Sequence, residues 1–251
     1  MAIIIKSEKE IAVMRRAGRV VADILKLLAA EIKAGMTTRQ LDDIAVRELA
    51  RYGAASSFKG YRGYPASLCV SINEEIVHGI PGDRVIREGD IVSLDFGAIV
   101  DGGHGDAAIT VGAGKITPQA ERLIETTRGA LEASIAAARA GARLSDISHA
   151  IQTYAESRGF VVVREYTGHG IGRDMHEDPL IPNFGPPGCG PVLQKGMALA
   201  IEPMVNIGGW RTRVKEDNWT VVTEDGSLSA HFEKTIAITN GKAEVLTPWD
   251  E

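Results

Sequence analysis

Apolar residues near the start of the chain recur at the spacing of an amphipathic helix. Their positions are Ile11, Met14, Val20, Val21, Ile24 and Leu28. This spacing is close to the period of about 3.6 residues of an α-helix, so it predicts a long helix from Ser7 to about Lys33 with one buried face. A second helix is predicted next, because Thr37 or Thr38 can cap its start and Gly53 can end it.

Short β-branched runs follow these two helices and are separated by glycine and proline. They read LCVSIN, DIVSLDFGAIV and AAITVG, a pattern that predicts strands joined by turns. In the second half, TPQAERLIETTRGALEASIAAARAG and ARLSDISHAIQTYAESRG again predict two helices. Pro118 lies in the first turn of one, and Ser145 is the expected cap of the other.

The two halves align when the sequence is shifted by 106 positions, which matches Gly53 with Gly159. We therefore predict a single domain over residues 1–251 with internal halves of about 1–115 and 116–251. The repeated order of helix, helix and strands favours an α+β fold with pseudo-symmetry over alternating βαβ units. A site between the sheets of the two halves would draw on both.

Two aspartates interrupt the apolar strands of the segment DIVSLDFGAIVDGGHGDAAITVG. Asp101 and Gly102 predict a tight hairpin turn, because both residue types accept positive φ. With the turn there, Asp95 pairs opposite Ala108, and Asp106 lies diagonally on the same face, within roughly 7 Å between β-carbons. Two carboxylates therefore point the same way.

The second half supplies three more polar groups in apolar surroundings. They are His169 in TGHGIG, Glu202 in MALAIEPMV and Glu233 in AHFEKTIAIT. If all five groups converge, four carboxylates crowd one pocket, which is unfavourable unless some bind protons or cations. Two divalent cations cancel this charge, and an oxygen-rich set with one imidazole suits Mn, Fe(II), Co or Zn. A lone aspartate in a strand more often lies at a sheet edge or in a turn, so the prediction of a metal site depends on all five polar groups together.

Composition and charge exclude several classes of function. The chain has 251 residues, is 44% hydrophobic and carries a formal net charge of −5, which argues against nucleic acid or an anionic membrane as a partner. No apolar run approaches the roughly 20 residues of a membrane span, and the N-terminus does not resemble a secretory signal. Cys69 and Cys189 are too few for a disulfide framework, so we expect free thiols and a cytoplasmic location.

Longer motifs resemble those of the type I, bacterial-type methionine aminopeptidases. The motifs are GYRGYPASLCVSINEEIVHGIPG, the SLDFG and GGHGDAA hairpin, TGHGIGRDMHEDP, MALAIEPM and SAHFEKTIAIT. The resemblance covers nearly the whole chain. It implies the pita-bread fold, in which two helices per half flank a curved antiparallel sheet around a central metal site, and it implies that the single domain is catalytic.

The resemblance also implies how the five polar groups divide two metal ions. Asp95 would bind one metal, Asp106 and Glu233 would bridge both, and His169 with Glu202 would complete the other site. A water between the metals would become acidic enough to attack the scissile peptide carbonyl, and Glu202 would take and relay its proton.

Substrate-binding residues follow from the same resemblance. His78 in IVHGIP and His176 in DMHEDP are similar to two active-site histidines that bind the peptide and the tetrahedral intermediate without holding metal. An apolar methionine pocket would be formed by Phe58, Tyr61, Tyr64, Cys69, Met175 and Trp219. The implied activity is removal of the initiator methionine from nascent chains with a small second residue. Ala2 is small, so we expect Met1 of this chain to be removed.

Further implied features concern partners and departures from the family pattern. The protein would be a monomer whose contact with ribosomes is transient, because the sequence shows no basic tail or zinc-binding extension. A monovalent cation would lie near the backbone carbonyls of Asn73, Glu75 and Ser229. The departures are Phe58, Ala107, Met175, His231 and Lys234, and we expect them to alter hydrogen bonds around the metal ligands and therefore metal affinity.

Two other functions stay open on sequence grounds. Xaa-Pro peptidases and prolidases share the implied fold but usually add an N-terminal domain, for which this chain has no room because its first helix begins near Ser7. A non-catalytic pita-bread protein that binds ribosomes or other partners is the second alternative. The complete set of five polar groups argues against it.

Overall fold

The computed structural model describes residues 2–250, so Met1, whose removal the sequence predicts, lies outside the described residues, as does Glu251. The α-helices of this range are α1 (Glu8–Glu31), α2 (Thr38–Tyr52), α3 (Pro118–Ala137) and α4 (Leu144–Glu156). None of them combines the length and the apolar character that a bilayer span requires.

Side-chain caps fix where the helices begin. Ser7 forms a capping box with Glu10 at the start of α1. Of the two residues that the sequence offered as the cap of α2, Thr37 is the one that caps it. The predicted cap of α4 by Ser145 is wrong. The helix begins at Leu144, two residues earlier than a Ser145 cap would place it, because the Asp146 carboxylate accepts the backbone N–H of Arg143 at 2.8 Å. The Ser145 hydroxyl instead accepts a backbone N–H of the loop after residue 182.

Fifteen strands, most of them short, make up the sheets of the described range. They are β1 (Ala55–Ser56), β2 (Cys69–Ile72), β3 (Glu75–Val77), β4 (Ile91–Val100), β5 (Gly103–Gly112), β6 (Val161–Val162), β7 (Thr167–Gly170), β8 (Glu177–Pro182), β9 (Ala198–Ile201), β10 (Met204–Asn206), β11 (Thr212–Val214), β12 (Val221–Thr223), β13 (Ser229–His231), β14 (Glu233–Ala237) and β15 (Glu244–Val245). A 3-10 turn, Tyr61–Gly63, lies between β1 and β2.

Both halves contribute to one nine-stranded sheet in the order β1-β4-β5-β14-β9-β7-β8, to which β2 and β15 add at the side. The halves join where β14 pairs antiparallel with β5, with Glu233 opposite Ala108. The site therefore lies on one continuous sheet and not between two separate sheets as the sequence predicted. Two three-stranded sheets, β13-β10-β6 and β11-β12-β3, complete the α+β fold.

The predicted pseudo-symmetry is confirmed by matching backbone hydrogen bonds. In the first half the N–H of Gly35 donates to the carbonyl of Ile86 at 2.8 Å, and in the second half the N–H of Gly141 donates to Leu193 at 2.9 Å. Gly35 and Gly141 are the residues that the sequence offset pairs. The two connections between helices and strands are therefore built alike.

The hairpin of β4 and β5 has the predicted register. Asp95 pairs with Ala108, and Asp106 pairs with Gly97 on the neighbouring strand. The turn residues Asp101 and Gly102 have φ values of 47° and 77°, as the tight hairpin requires. The sequence therefore predicted the relative placement of the two aspartates correctly.

Helix α1 fixes the position of Asp106 from behind the sheet. A Cβ on Gly105 would lie 2.7 Å from the backbone nitrogen of Gly18 in α1, so the helix and β5 touch backbone to backbone. The apolar face of α1 is buried, as predicted. The strand residue before Asp106 must therefore be glycine for the helix to pack this closely.

Candidate active site

Every residue that the sequence predicts for the site lines one cavity, and Arg62 lines it as well. The lining residues are Phe58, Tyr61, Arg62, Tyr64, Cys69, His78, Asp95, Asp106, His169, Met175, His176, Glu202, Trp219 and Glu233. We call Asp95, Asp106, His169, Glu202 and Glu233 the polar floor, and Phe58, Tyr64, Cys69, Met175 and Trp219 the apolar wall. Residues from both halves of the chain therefore meet here.

The polar floor is assembled from neighbouring strands of the nine-stranded sheet. Asp106, His169 and Glu233 each present one ligand atom, and these atoms lie within 4.8 Å of one another. Glu202 follows directly after β9, where the sequence predicted it inside a strand, and its Oε1 lies 3.7 Å from His169 Nε2. The adjacency of these strands brings distant sequence segments to one point.

The hydrogen bond of His169 decides which of its ring nitrogens faces the floor. Nδ1 lies 2.8 Å from the carbonyl oxygen of Gly170. Since a carbonyl only accepts, Nδ1 carries the proton in the neutral ring and donates it there. The Nε2 lone pair is then left to face Glu202 and the floor, which is the arrangement of a metal-binding histidine.

Several oxygens of the floor lack the hydrogen bonds that buried polar atoms normally make. Asp95 Oδ1, Asp106 Oδ1 and Glu233 Oε1 are buried and find no partner among residues 2–250. Such atoms are costly to bury unpaired, because they have lost water without replacement. Hard oxygen ligands beside one imidazole nitrogen suit divalent cations, so the residues present fit a metal centre.

Burial and mutual repulsion raise the pKa values of the floor carboxyls. Burial raises the pKa of Asp95 to about 7, and the pKa of Glu202 to about 7. The pKa values of Asp106 and Glu233 rise well above their usual range, first through burial and then through the neighbouring carboxylates. Without cations, part of the floor therefore holds protons at neutral pH.

His231 is a neighbour of the floor that the sequence treated only as a departure from the family pattern. Its Nε2 lies 3.6 Å from Glu202 Oε2, and neither ring nitrogen has a hydrogen-bond partner within residues 2–250. Burial lowers the pKa of His231, which keeps the ring neutral. Its backbone N–H donates to the hydroxyl of Thr110 at 2.9 Å, which fixes its position beside Glu202.

Lys234, the departure next to Glu233, points away from the cavity. Its Nζ lies 2.6 Å from a carboxylate oxygen of Asp250 and 4.4 Å from the ring centroid of Trp249. The Trp249 indole N–H in turn donates to the carbonyl of Glu233 at 3.0 Å. The C-terminal segment therefore holds the strand that carries Glu233.

The apolar wall is held together by aromatic contacts at steep angles. The ring of Tyr64 lies edge-on to Trp219, with centroids 5.1 Å apart, and its hydroxyl donates to the carbonyl of Gly79 at 3.0 Å. Cys69 pairs with Asp95 across β2 and β4, which places the wall directly beside the floor. Burial raises the pKa of the Cys69 thiol, so it remains a neutral packing group, and both cysteines are free as predicted.

Two histidines stand between floor and wall. The ring of His176 stacks on Tyr61 at 5.2 Å and lies 4.1 Å from the ring of His169. His78 has a φ of 61°, a conformation that non-glycine residues adopt rarely and often at functional sites. Burial lowers the pKa of His78 to about 4, and burial with nearby His169 and Arg62 lowers that of His176 to about 3, so both rings are neutral at pH 7.

Arg62 is the lining residue that the sequence did not single out. It lies in the 3-10 turn with a φ of 49°, and its guanidinium is 5.3 Å from the Tyr61 ring centroid. A charged residue inside the segment GYRGY, between two tyrosines assigned to the pocket, was the available signal. Tyr166 was also missed. Its ring lies 5.9 Å from that of His78.

An α+β fold with carboxylates and one histidine on adjacent sheet strands is the architecture of a metallopeptidase class, and residues 12–240 match metallopeptidase family M24. The chain belongs to this family. It is 54% identical to methionine aminopeptidase 1 of Bacillus subtilis, over 98% of this chain and 99% of that protein. The crystal structure of a methionine aminopeptidase from Thermotoga maritima superimposes with a TM-score of 0.97 at 49% identity, covering 98% of this chain and 99% of that chain.

Peptidases of a different specificity share the fold at lower identity. An Xaa-Pro dipeptidase from Bacillus anthracis superimposes with a TM-score of 0.78, covering 97% of this chain and 61% of that chain. At 23% identity this likeness shows the fold alone. The resemblance to the type I enzymes that the motifs indicated is confirmed by the relatives that match the chain over nearly its full length.

Proposed function

We propose that this chain is a metal-dependent aminopeptidase that removes the initiator methionine from nascent proteins whose second residue is small. The observation that carries this proposal is a buried set of carboxylates with unpartnered oxygens directly beside an apolar pocket. The floor suits a hydrolytic metal centre, and the wall suits an unbranched apolar side chain. The methionine aminopeptidases that match the chain support the same activity.

In this proposal the five residues of the polar floor hold two divalent cations, which are Mn, Fe(II), Co or Zn. Asp95 would hold one cation, His169 with Glu202 would hold the other, and Asp106 and Glu233 would contribute to both. When bound, the cations supply the positive charge that polarises a peptide carbonyl and acidifies a water molecule. They also replace the protons that the floor carboxyls otherwise hold.

Glu202 is the proposed carrier of the proton that leaves the attacking water. Its side chain is 14% exposed, more than that of His169 at 3%, so it lies at the solvent side of the floor. Its two oxygens lie 3.7 Å from His169 Nε2 and 3.6 Å from His231 Nε2. A carboxylate held at the edge of the set can pass the proton to the departing amine.

His78 and His176 are the proposed donors to the substrate peptide and to the tetrahedral intermediate. Their lowered pKa values keep both rings neutral, so each has one N–H to donate and adds no positive charge that would repel cations. Stacking on Tyr61 fixes the His176 ring. A donor held in place before the reaction stabilises the developing oxyanion most effectively.

The apolar wall, together with Tyr61, forms the proposed methionine pocket. The Cys69 and Met175 sulfurs and the rings of Phe58, Tyr64 and Trp219 provide soft contacts for a thioether. The limited space beside the pocket would admit only small second residues. We propose that this pocket, and not the metal centre, determines the preference for methionine.

Further parts of the proposal concern the surroundings of this reaction. Residues 1–251 form one catalytic domain that acts as a cytoplasmic monomer and contacts ribosomes transiently. The backbone carbonyls of Asn73, Glu75 and Ser229 would hold a monovalent cation. The Ser229 N–H donates to the Asn73 carbonyl at 2.9 Å, so these segments are adjacent.

Cleavage of two peptides tests the activity. With added Mn or Co we expect release of methionine from Met-Ala-Ser and no cleavage of Ala-Pro-Phe. Cleavage of Ala-Pro-Phe alone would indicate an Xaa-Pro peptidase. Cleavage of neither peptide would contradict the proposal and leave the non-catalytic function.

A further inference from the structure

The loop of residues 172–176, which ends where β8 begins at Glu177, has the candidate site on one side and a buried ion pair on the other. Met175 and His176 line the cavity. Behind them, Lys6 Nζ lies 2.5 Å from Glu177 Oε2, and the two side chains are only 3% and 4% exposed. Lysine and glutamate are seldom buried this deeply. Neither residue lines the candidate site, so the proposed reaction does not by itself account for the pair.

Both oxygens of Glu177 take part in bonding the loop. Oε2 accepts from Lys6, while Oε1 accepts the backbone N–H of Arg173 at 3.0 Å and of Asp174 at 3.4 Å. The carboxylate therefore connects the end of the loop to its beginning. The intervening residues Met175 and His176 are carried on the closed segment.

Lys6 is itself fixed by its own chain segment. Its Nζ also donates to the carbonyl of Ile4 at 3.1 Å, and its backbone N–H donates to Gly196 at 2.8 Å. A Cβ on Gly172 would lie 2.5 Å from Lys6 Cε and 2.6 Å from Glu177 Oε1, so the pair packs against the loop backbone itself. The Lys6 ammonium is therefore held in place by its own segment, and its bond to Glu177 restrains the loop.

We propose that Lys6 and Glu177 are positioning residues that hold His176 and Met175 in the geometry needed for the substrate. A buried ion pair adds little net stability, because desolvation of the two charges offsets their attraction, whereas removing one partner leaves an uncompensated charge. Its value here is therefore geometric. Small displacements of a group that contacts the reacting atoms can lower the rate by about 100-fold.

The test uses Lys6→Gln, Glu177→Gln and the double variant, with Lys195→Gln as the matched control. Lys195 pairs with Glu8, which lies two residues after Lys6, but the two side chains are 53% and 77% exposed. This inference rests on the proposed aminopeptidase function, so hydrolysis of Met-Ala-Ser by the unaltered Mn-loaded protein is measured first. The affinity for Mn is measured for every variant by calorimetry.

We expect each single variant to lower kcat/KM by roughly 10-fold to 100-fold. Displacement of His176 should lower kcat, and displacement of Met175 should raise KM. The double variant should recover part of this loss, because two neutral amides leave no unpaired charge and can hydrogen-bond each other. Mn affinity should stay within about twofold throughout, and Lys195→Gln should match the unaltered protein. If either single variant does not fold, kcat/KM of the double variant is compared with kcat/KM of the unaltered protein.

A second readout does not depend on turnover. With methionine labelled by ¹³C at the methyl group, the Met175 signal, assigned through Met175→Leu, should shift in Glu177→Gln and not in Lys195→Gln. Single variants with unchanged kcat/KM and an unchanged Met175 signal would overturn the inference. A loss of Mn affinity parallel to the loss of kcat/KM would also overturn it, since that indicates general loosening. If the unaltered protein cleaves nothing, the proposed function fails while the Met175 signal still decides whether the pair positions the loop.

Discussion

The polar floor and the apolar wall of the cavity are both buried, but they differ in what they need from outside the chain. The wall is complete as it stands, because aromatic rings contact one another and the Tyr64 hydroxyl has its acceptors. The floor is incomplete, because carboxylate oxygens lack partners and their pKa values are raised. A buried surface whose carboxylate oxygens have no partner indicates a bound cation. A buried apolar surface indicates only the shape of the side chain that it can accept.

The largest expected effect comes from removing a floor carboxylate. Asp106→Asn should lower kcat/KM for Met-Ala-Ser on the order of 1000-fold and reduce the number of bound Mn ions, because Asp106 is proposed to bridge both. Steady-state kinetics and metal analysis measure the two effects. Asp101→Asn, in the turn of the same hairpin, is the control, since its side chain is 66% exposed and pairs with Arg16 at the surface. Equal activity of both variants would argue against the proposed bridging role.

A smaller loss is expected at the boundary between floor and wall. His176→Asn should lower kcat/KM by about 100-fold while the Mn affinity stays unchanged, because His176 is proposed to donate to the reacting peptide and not to bind metal. Kinetics and calorimetry on the same preparation separate these effects. His149→Asn, an exposed histidine on α4, provides the control. Weaker Mn binding by His176→Asn would indicate that His176 is a metal ligand and would contradict this prediction.

The floor also predicts how metal and pH act together on stability. The pKa values of Asp95 and Glu202 rise from 3.8 and 4.5 to about 7 in the folded, metal-free protein, so the folded state binds more protons than the unfolded state. Their stabilising contribution is therefore present below about pH 4 and is lost as the pH rises to about 7. Cations replace these protons, so the increase in Tm on adding Mn should grow across this range, by on the order of 5 °C.

Calorimetry with chelator and with Mn at each pH measures this increment, and the comparison cancels the titration of groups elsewhere in the chain. An increment that stays level or shrinks between pH 5 and 8 would show that the floor carboxyls are not the groups that exchange protons for metal.

The smallest effect is expected in the wall. Met175 is one of the departures from the family pattern, and its side chain is flexible. Met175→Phe should therefore make the pocket more rigid and raise the preference for Met-Ala-Ser over Leu-Ala-Ser by roughly threefold to tenfold. The ratio of kcat/KM for the two peptides measures this preference. Met175→Leu, which nearly preserves volume and flexibility, should change the ratio less. An altered Mn affinity in either variant would show that wall and floor are not independent.

The sequence predicted the hairpin of the floor because local chemistry determines it. The positive φ values at Asp101 and Gly102 set the register, and the register places Asp95 and Asp106 on one face. The repeat offset predicted the two similar helix connections for the same reason, since glycines at Gly35 and Gly141 allow the same backbone hydrogen bond.

Contacts between distant segments could not be predicted from local patterns. The pairing of Glu233 with Ala108 joins the halves into one sheet, and no turn or helix signal encodes it. The start of α4 depends on a competition between Ser145 and Asp146 that spacing alone does not resolve. The Lys6–Glu177 pair joins residues far apart in sequence whose burial is visible only after folding.

The most direct test of the central claim is anomalous diffraction at the Mn absorption edge from crystals of the Mn-loaded protein. The claim is that carboxylates from both halves of the chain are crowded together because divalent cations bind among them. We expect two anomalous peaks in the cavity, each within bonding distance of residues from the polar floor. Crystals that show no peak there, or peaks that leave Asp106 and Glu233 unbound, would contradict it.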